Sequence, residues 1–407
     1  MKITVLIMVL LMLISLVQAG EVLLDENHDL IAPDFIASFY DYYSVNLLNT
    51  RMLGMGATTV SIQGGIENAL VNPAAFRGGL YKLNIEGLVK SSVKEMNSYA
   101  STEDPDVVVE KQNLESGIPS GFVGIGFSPA PYLSLGTSIS IPQTIRYNLL
   151  GRALPTGAFV DRFPSMQNYQ TTLTLTGHYE QLSFGLNVIY NYYVFRDLRL
   201  IAPHFDRIRF EEGVWRLQPG LLYNMEKFFF GASYKFATEQ EIEMGNTEPY
   251  YHIYNTHFPA LLETGVSFQY SDDITIALAL EFEQTSKQYE GFDDRLKLKL
   301  GVEKQFDNYD IRGGLISIPG IYTGPFAIPE DTITEGDFIF DPLPYDYGIV
   351  GKTDQLLLTL GFTYYTRDID LSMAMAKDVL QNLDLFQVGF SVNIKLGEIA
   401  NRGQQGL

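Results

Sequence analysis

The residue types that most often carry chemistry are sparse in this chain and do not combine. Cysteine is absent, which removes thiol nucleophiles, disulfides, iron–sulfur ligands, zinc-thiolate sites and a lipid-modified cysteine anchor. The five histidines, His28, His178, His204, His252 and His257, show no metalloprotease spacing, and no nucleophile elbow, phosphate loop or dinucleotide fingerprint occurs. No catalytic residue, metal site or cofactor is assigned, and the chain does not read as an enzyme. Two loops have the composition of binding surfaces. In one, His252 and His257 accompany Tyr250, Tyr251, Tyr254 and Phe258: an ordinary surface loop, an aromatic capture site or a metal site. The other, from Pro319 to Gly351, carries Glu330, Asp331, Glu335, Asp337, Asp341 and Asp346 with no base before Lys352. It reads as solvated acidic surface that sheds anionic polymers, with calcium as the alternative because hard carboxylates suit that ion. Its Phe326, Phe338, Phe340 and Tyr345 could instead fold over as an apolar landing site.

One charge pattern is paired and not merely clustered. Between 274 and 282, Ile274, Ile276, Leu278, Leu280 and Phe282 share one face of a strand, which leaves Glu281 and Glu283 on the other. Across a hairpin these acids would face Lys297 and Arg295, a charge ladder suited to a polar interior.

The elements that carry this ladder recur along the chain. Alternating segments fall near 81–92, 119–128, 132–143, 169–180, 181–195, 213–224, 227–238, 261–271, 273–285, 294–306, 308–318, 352–366, 368–377 and 384–396. That predicts an all-β fold of about 14 strands, most longer than a globular strand and matched to a tilted bilayer crossing of about 9 to 11 residues. The connections alternate short and long. Short turns fall at Pro129–Pro131, Tyr179–Glu180, Met225–Glu226, Ser271–Asp273, Asp307 and Arg367–Asp368, and longer loops at 93–118, 144–168, 196–212, 239–260, 286–293, 319–351 and 378–383. This rhythm predicts a transmembrane antiparallel β-barrel with periplasmic turns, extracellular loops and both chain ends in the periplasm. Tyr190, Tyr192, Tyr193, Tyr364, Tyr365 and Phe228 to Phe230 fall at predicted strand ends, where an aromatic girdle belongs. A soluble β-sandwich would alternate too, but with its apolar face inward.

Lys2 followed by an apolar run to Val17 and a Val17-Gln18-Ala19 site predicts a signal peptide at 1–19, hence export. The net charge of −20 excludes a basic nucleic-acid surface. The barrel is expected at 81–396, with a periplasmic tail at 397–407.

Residues 20–80 do not alternate. They contain Arg51-Met52-Leu53-Gly54-Met55-Gly56-Ala57 and, further on, Asn72-Pro73-Ala74-Ala75. Asn72 is a good N-cap and Pro73 suits a first helical position, so this stretch predicts a tight turn or short helix. The arrangement resembles the FadL/TodX outer-membrane transport family and its relative PorV of type nine secretion. Glu67 stands where that family usually carries an acidic pair. The resemblance implies that 20–80 is a plug inside the lumen, with Arg51, Gly54, Met55, Gly56, Asn72, Pro73 and Ala74 as its signature. It also implies passive passage of hydrophobic small molecules, long-chain fatty acids or hydrocarbons, with sideways exit through a break in the wall. The alternative is a PorV-like barrel that docks or shuttles secreted proteins. The implied surroundings are the outer membrane of a Gram-negative-type bacterium, with lipid, lipopolysaccharide and the barrel-assembly machinery as partners. Family members tend to end on an aromatic residue, whereas here Leu396 precedes a polar tail, so the assembly signal would lie inside, at Phe390.

Overall fold

The computed structural model describes residues 50–78, 84–96, 112–115, 120–147, 149–153, 159–162, 165–201, 204–244, 252–287, 293–320, 354–367, 369–380 and 386–395. The predicted signal peptide, the predicted tail and the aromatics Tyr250, Tyr251, Phe326, Phe338 and Phe340 lie outside them.

Fourteen long strands run antiparallel to their neighbours: β1 (Asn84–Met96), β2 (Ser120–Ala130), β3 (Leu133–Tyr147), β4 (Ser165–Tyr179), β5 (Leu182–Ile201), β6 (His204–Met225), β7 (Phe228–Lys235), β8 (Leu261–Ser271), β9 (Ile274–Glu283), β10 (Arg295–Gln305), β11 (Tyr309–Ile318), β12 (Gln355–Tyr365), β13 (Ile369–Asp378) and β14 (Phe386–Lys395). β14 then pairs with β1 from Asn84↔Lys395 to Val93↔Phe386, which closes the sheet on itself. Closure removes the unpaired edges that hydrocarbon would not tolerate. Fourteen strands about 4.8 Å apart and tilted near 40° make a wall roughly 28 Å across, too wide for wall side chains alone to fill.

Burial along the strands is inverted relative to a soluble protein. On β4, Leu173 and Leu175 are exposed at 56% and 49%, while Thr172, Thr174 and Thr176 between them are buried. The same holds on β12, where Leu358, Leu360 and Phe362 face out and Thr359 and Thr363 face in. Lipid is the solvent in which an apolar outer face and a hydrogen-bonding inner face are both stable, which disposes of the sandwich. Among the described residues no helix is long and apolar enough to span a membrane.

Four stretches expected as loops are partly strand. The predicted loop 93–118 holds the end of β1 and the short strand Gln112–Glu115, which pairs with β1 and β3. β5 and β6 reach 20 and 22 residues and stay paired to Ile201↔His204, through the predicted loop 196–212. The predicted loop 144–168 holds the ends of β3 and β4 and the short strands Leu149–Ala153 and Phe159–Arg162. In 239–260, strands Thr238–Met244 and His252–Phe258 form a separate two-stranded sheet, so Tyr254 and Phe258 lie in a hairpin strand, not in irregular loop. Above the bilayer both faces of a hairpin meet water, so the period-2 signal disappears while the hydrogen bonding persists. For the same reason the tyrosines at 190–193 are mid-strand, and Tyr193 is buried inside.

Candidate functional site

The segment Thr50–Gly78 folds into short pieces: α1 (Thr50–Gly54), a 3-10 turn Thr59–Ser61, α2 (Ile66–Ala69) and a 3-10 turn Pro73–Ala75. None is long enough to be stable alone, so tertiary contacts must hold them. α1 packs on β11 to β14, Thr59–Ser61 on β7 to β9, α2 on β2 and β3, and Pro73–Ala75 on β4 to β7. A segment that touches strands on every side of a closed ring lies within it.

The sequence chemistry of this inner segment now has a geometric account. Asn72 is wholly buried; its Oδ1 accepts from the Ala74 N–H at 3.0 Å, capping the Pro73 turn. Its Nδ2 donates to Val60 O at 2.7 Å and to Leu221 O of the wall at 3.0 Å. One side chain thus ties two turns of the inner segment to each other and to β6. Wall groups reach in reciprocally: Asn187 Nδ2 donates to Ala69 O at 2.7 Å, Gln218 Nε2 to Val71 O at 2.7 Å, and Thr176 Oγ1 to Pro73 O at 2.6 Å. Because these short turns leave carbonyls without internal partners, the polar inner wall satisfies what the segment cannot.

Gly56 has φ +60°, and its N–H donates to Thr359 Oγ1 at 3.0 Å. A Cβ there would fall 2.4 Å from Leu300 O. The wall answers with its own glycines: a Cβ at Gly314 would lie 2.3 Å from Gly56 N, at Gly301 2.2 Å from Met55 O, and at Gly361 2.9 Å from Gly54 Cα. Backbone meets backbone, which is why the Gly-Met-Gly spacing and the small inward residues of β10 to β12 go together.

The charge ladder is present with the expected register, Glu281↔Lys297 and Glu283↔Arg295. Lys297 Nζ bridges Glu281 and Glu283 at 2.7 Å each, Arg295 Nε reaches Glu283 at 2.6 Å, and Lys299 joins Glu281 to Glu263 on β8, the latter at 2.9 Å. A second cluster lies further along β10, where the Arg51 guanidinium holds the fully buried Glu303 through Nε at 2.9 Å and Nη2 at 2.5 Å. Arg312 Nε shares that carboxylate at 2.5 Å and its Nη2 reaches Asp310 at 2.9 Å. A fork-on-carboxylate pair fixes geometry as well as charge, so Arg51 pins α1 to β10 and β11.

At the end bearing the short turns lies a cavity of about 120 Å³ lined by Arg51, Glu67, Arg312, Tyr365, Asp370 and Asn393, among others. Burial pushes the Glu67 carboxyl above the ordinary glutamate range despite Arg51 and Arg312 nearby. The cavity is polar and small, unlike a greasy channel.

Of the residues the sequence singles out, Arg51, Gly54, Met55, Gly56, Asn72, Pro73 and Ala74 all sit within the ring. Tyr254 and Phe258 lie apart, in the outer hairpin. Sequence reasoning did not find Glu303, Arg312, Asn187 or Gln218, the wall partners. Their only signal is an inward parity shared by many polar residues. Among the described residues no group of three or more His, Asp or Glu could hold a metal ion.

Fold and site define a class: an outer-membrane β-barrel with an N-terminal segment folded into its lumen. Residues 156–397 match the family of type IX secretion system membrane proteins PorP/SprF, and the chain belongs to that family. No curated protein matches the sequence. The fold is shared with a FadL homologue of Pseudomonas aeruginosa (TM-score 0.59, 12% identity, covering 86% of this chain and 98% of that one). It is shared also with the toluene transporter TodX of Pseudomonas putida (0.58, 12%, 84% and 96%) and the toluene transporter TbuX of Ralstonia pickettii (0.57, 12%, 87% and 99%).

Proposed function

We propose that this chain is a closed, non-catalytic barrel that serves type IX secretion by docking or holding exported proteins at its long-loop end. The observation that supports this is the interlock of the inner segment with the wall. Where Gly56 meets Gly314 and Met55 meets Gly301 there is no space for a methyl group. A solute path along that side of the lumen therefore requires the segment to move, whereas a docking role does not. Membership of a type IX secretion family supports the same reading. Residues 1–19 act as the cleaved export signal, 20–80 as the plug and 397–407 as a periplasmic tail, and Phe390 serves the barrel-assembly machinery as its internal signal.

Uptake of hydrophobic small molecules is the second reading, favoured by one wall feature. Ile141 and Pro142 of β3 together oppose the single residue Tyr169 of β4, where the register shifts. Proline has no N–H to give the ladder, so the β3–β4 pairing is interrupted there, as a lateral exit requires. The two readings separate in a deletion strain. The docking role predicts that surface display of type IX-exported proteins stops while growth on long-chain fatty acids or toluene is unchanged. Loss of uptake with display intact would replace it by the second reading.

A further inference from the structure

The inner segment is knitted to itself as far as Arg77, whose N–H donates to Gly64 O at 2.9 Å, and the next residue, Gly78, is bonded to the wall. Around Gly78 four adjacent strands each contribute one side chain beside their short turns: Ser128 of β2, Ser134 of β3, His178 of β4 and Ser183 of β5. Ser128 Oγ donates to Gly78 O at 3.0 Å, and the Gly78 N–H donates to Ser134 Oγ at 3.4 Å. Ser134 Oγ lies 2.7 Å from Ser128 Oγ and 3.0 Å from His178 Nε2, and Ser183 Oγ lies 2.9 Å from His178 Nδ1. A Cβ at Gly78 would fall 2.5 Å from Phe127 C, so this residue is pressed on β2 as well as bonded to it. The three serines are buried, while the imidazole is partly exposed.

Counting hydrogens fixes the direction of this chain, because each hydroxyl has one to give. That of Ser128 goes to Gly78 O, so the hydrogen between Ser128 and Ser134 belongs to Ser134, and the one between Ser134 and the ring comes from Nε2. In a neutral imidazole Nδ1 is then bare and accepts from Ser183. Every hydrogen from Ser183 through His178, Ser134 and Ser128 to Gly78 O has an acceptor. A second proton on the ring breaks that order. Nδ1–H would point at Ser183, whose hydroxyl would have to turn its own hydrogen into buried surroundings where the ring had been its partner. Among the described residues the charged group that acts on the ring is Arg77, of like sign. β2, β3 and β5 face it with serines, Leu222 of β6 lies opposite Ser183, and the titratable groups of the adjoining turns, Tyr132, Tyr179 and Glu180, are exposed.

We propose that His178 is a proton-operated clasp on the end of the inner segment: the neutral ring holds Gly78 against β2 and β3, and a proton arriving from the short-turn side releases it and lets the segment move in the lumen. Ser134 is the joint, since it bonds the ring, Ser128 and the Gly78 N–H together, and a ring that turns away takes its support from all of them. A released ring meets water and is protonated freely, whereas the clasped ring is not, so acid shifts the balance toward release. The clasp works in the same way whether the barrel docks proteins or passes solutes.

The test is planar-bilayer conductance of the full-length protein at pH 7.5 and pH 5.0, native against His178→Gln. Glutamine keeps an amide donor toward Ser134 and takes no proton. The open fraction of the native protein should rise by up to about thirtyfold, the limit for a ring that titrates as an ordinary histidine when released and excludes the proton when clasped. H178Q should stay flat. Glu67 cannot produce the rise, because burial favours its protonated form and acid therefore steadies the segment around it. If H178Q fails to fold, amide hydrogen exchange of the native protein decides: protection of the Gly78 N–H, corrected for the intrinsic effect of pH, should fall between pH 7.5 and 5.0. Equal pH responses of native protein and H178Q, a flat native response, or unchanged protection at Gly78 overturns the proposal.

Discussion

Gly313 and Gly314 are neighbours on β11, and replacing each with alanine puts the same methyl group on opposite sides of the wall. A Cβ at Gly313 would find its nearest neighbours at 3.9 and 4.0 Å, an ordinary contact. A Cβ at Gly314 would fall 2.3 Å from Gly56 N and 2.6 Å from Met55 C, both backbone atoms of the inner segment. Relief to an ordinary separation needs a shift of about 1 Å, and overpacking of that kind costs about 1–3 kcal/mol. The same shift pulls the Gly56 N–H from Thr359, 3.0 Å at present, and loss of that hydrogen bond adds about 1 kcal/mol. Against this, Gly to Ala within a strand removes unfolded-state freedom and contributes about 0.5–1 kcal/mol of stability, which G313A receives in full. G314A should therefore be less stable than G313A by about 2–4 kcal/mol. The loss should fall on the inner segment. Thermal unfolding followed by heat-modifiable gel mobility reports the barrel, and planar-bilayer conductance reports the lumen. G314A should show raised or flickering conductance with the barrel still folded, while G313A stays silent. Identical melting and conductance for the two variants would refute the interlock.

Other substitutions probe other links. Asn72→Ala removes three hydrogen bonds at a buried hub and leaves Val60 O and Leu221 O short of donors, so thermal unfolding should show a loss of about 2–4 kcal/mol. Leu173→Arg places a charge on the lipid face and should destabilise the protein in liposome unfolding by about 2–4 kcal/mol, whereas a soluble β protein would accept it at an exposed site. Glu67 has a folded-state pKa raised by burial, so the folded form binds its proton more tightly than the unfolded form does. Its contribution is therefore unfavourable above the folded pKa and fades as pH falls below the ordinary glutamate value. Melting temperatures from pH 4 to 8 should show Glu67→Gln gaining on the native protein as pH rises; an unchanged difference would exclude this role.

Much of the barrel was legible because the bilayer imposes a local rule. Lipid outside and a polar lumen inside force alternation on every crossing, as at Leu173 to Thr176, and strand length follows from bilayer thickness. Turn chemistry is equally local, so Asn72-Pro73 announced its cap in the sequence. Where lipid ends the rule ends, and the upper halves of β5 and β6 therefore read as loop although they are paired to their tips. The Arg51-to-Gly56 motif marked the right residues without giving the reason for them. Arg51 is selected by Glu303, 252 positions away, and Gly56 by Gly314 and Leu300, which approach it only once the sheet has closed. The sequence by itself determined a barrel of alternating strands with something other than strand before it. Only the tertiary structure decided that this segment is keyed to the wall backbone against backbone, because close approach depends on which atoms share a place, and sequence spacing does not encode that across a closed ring.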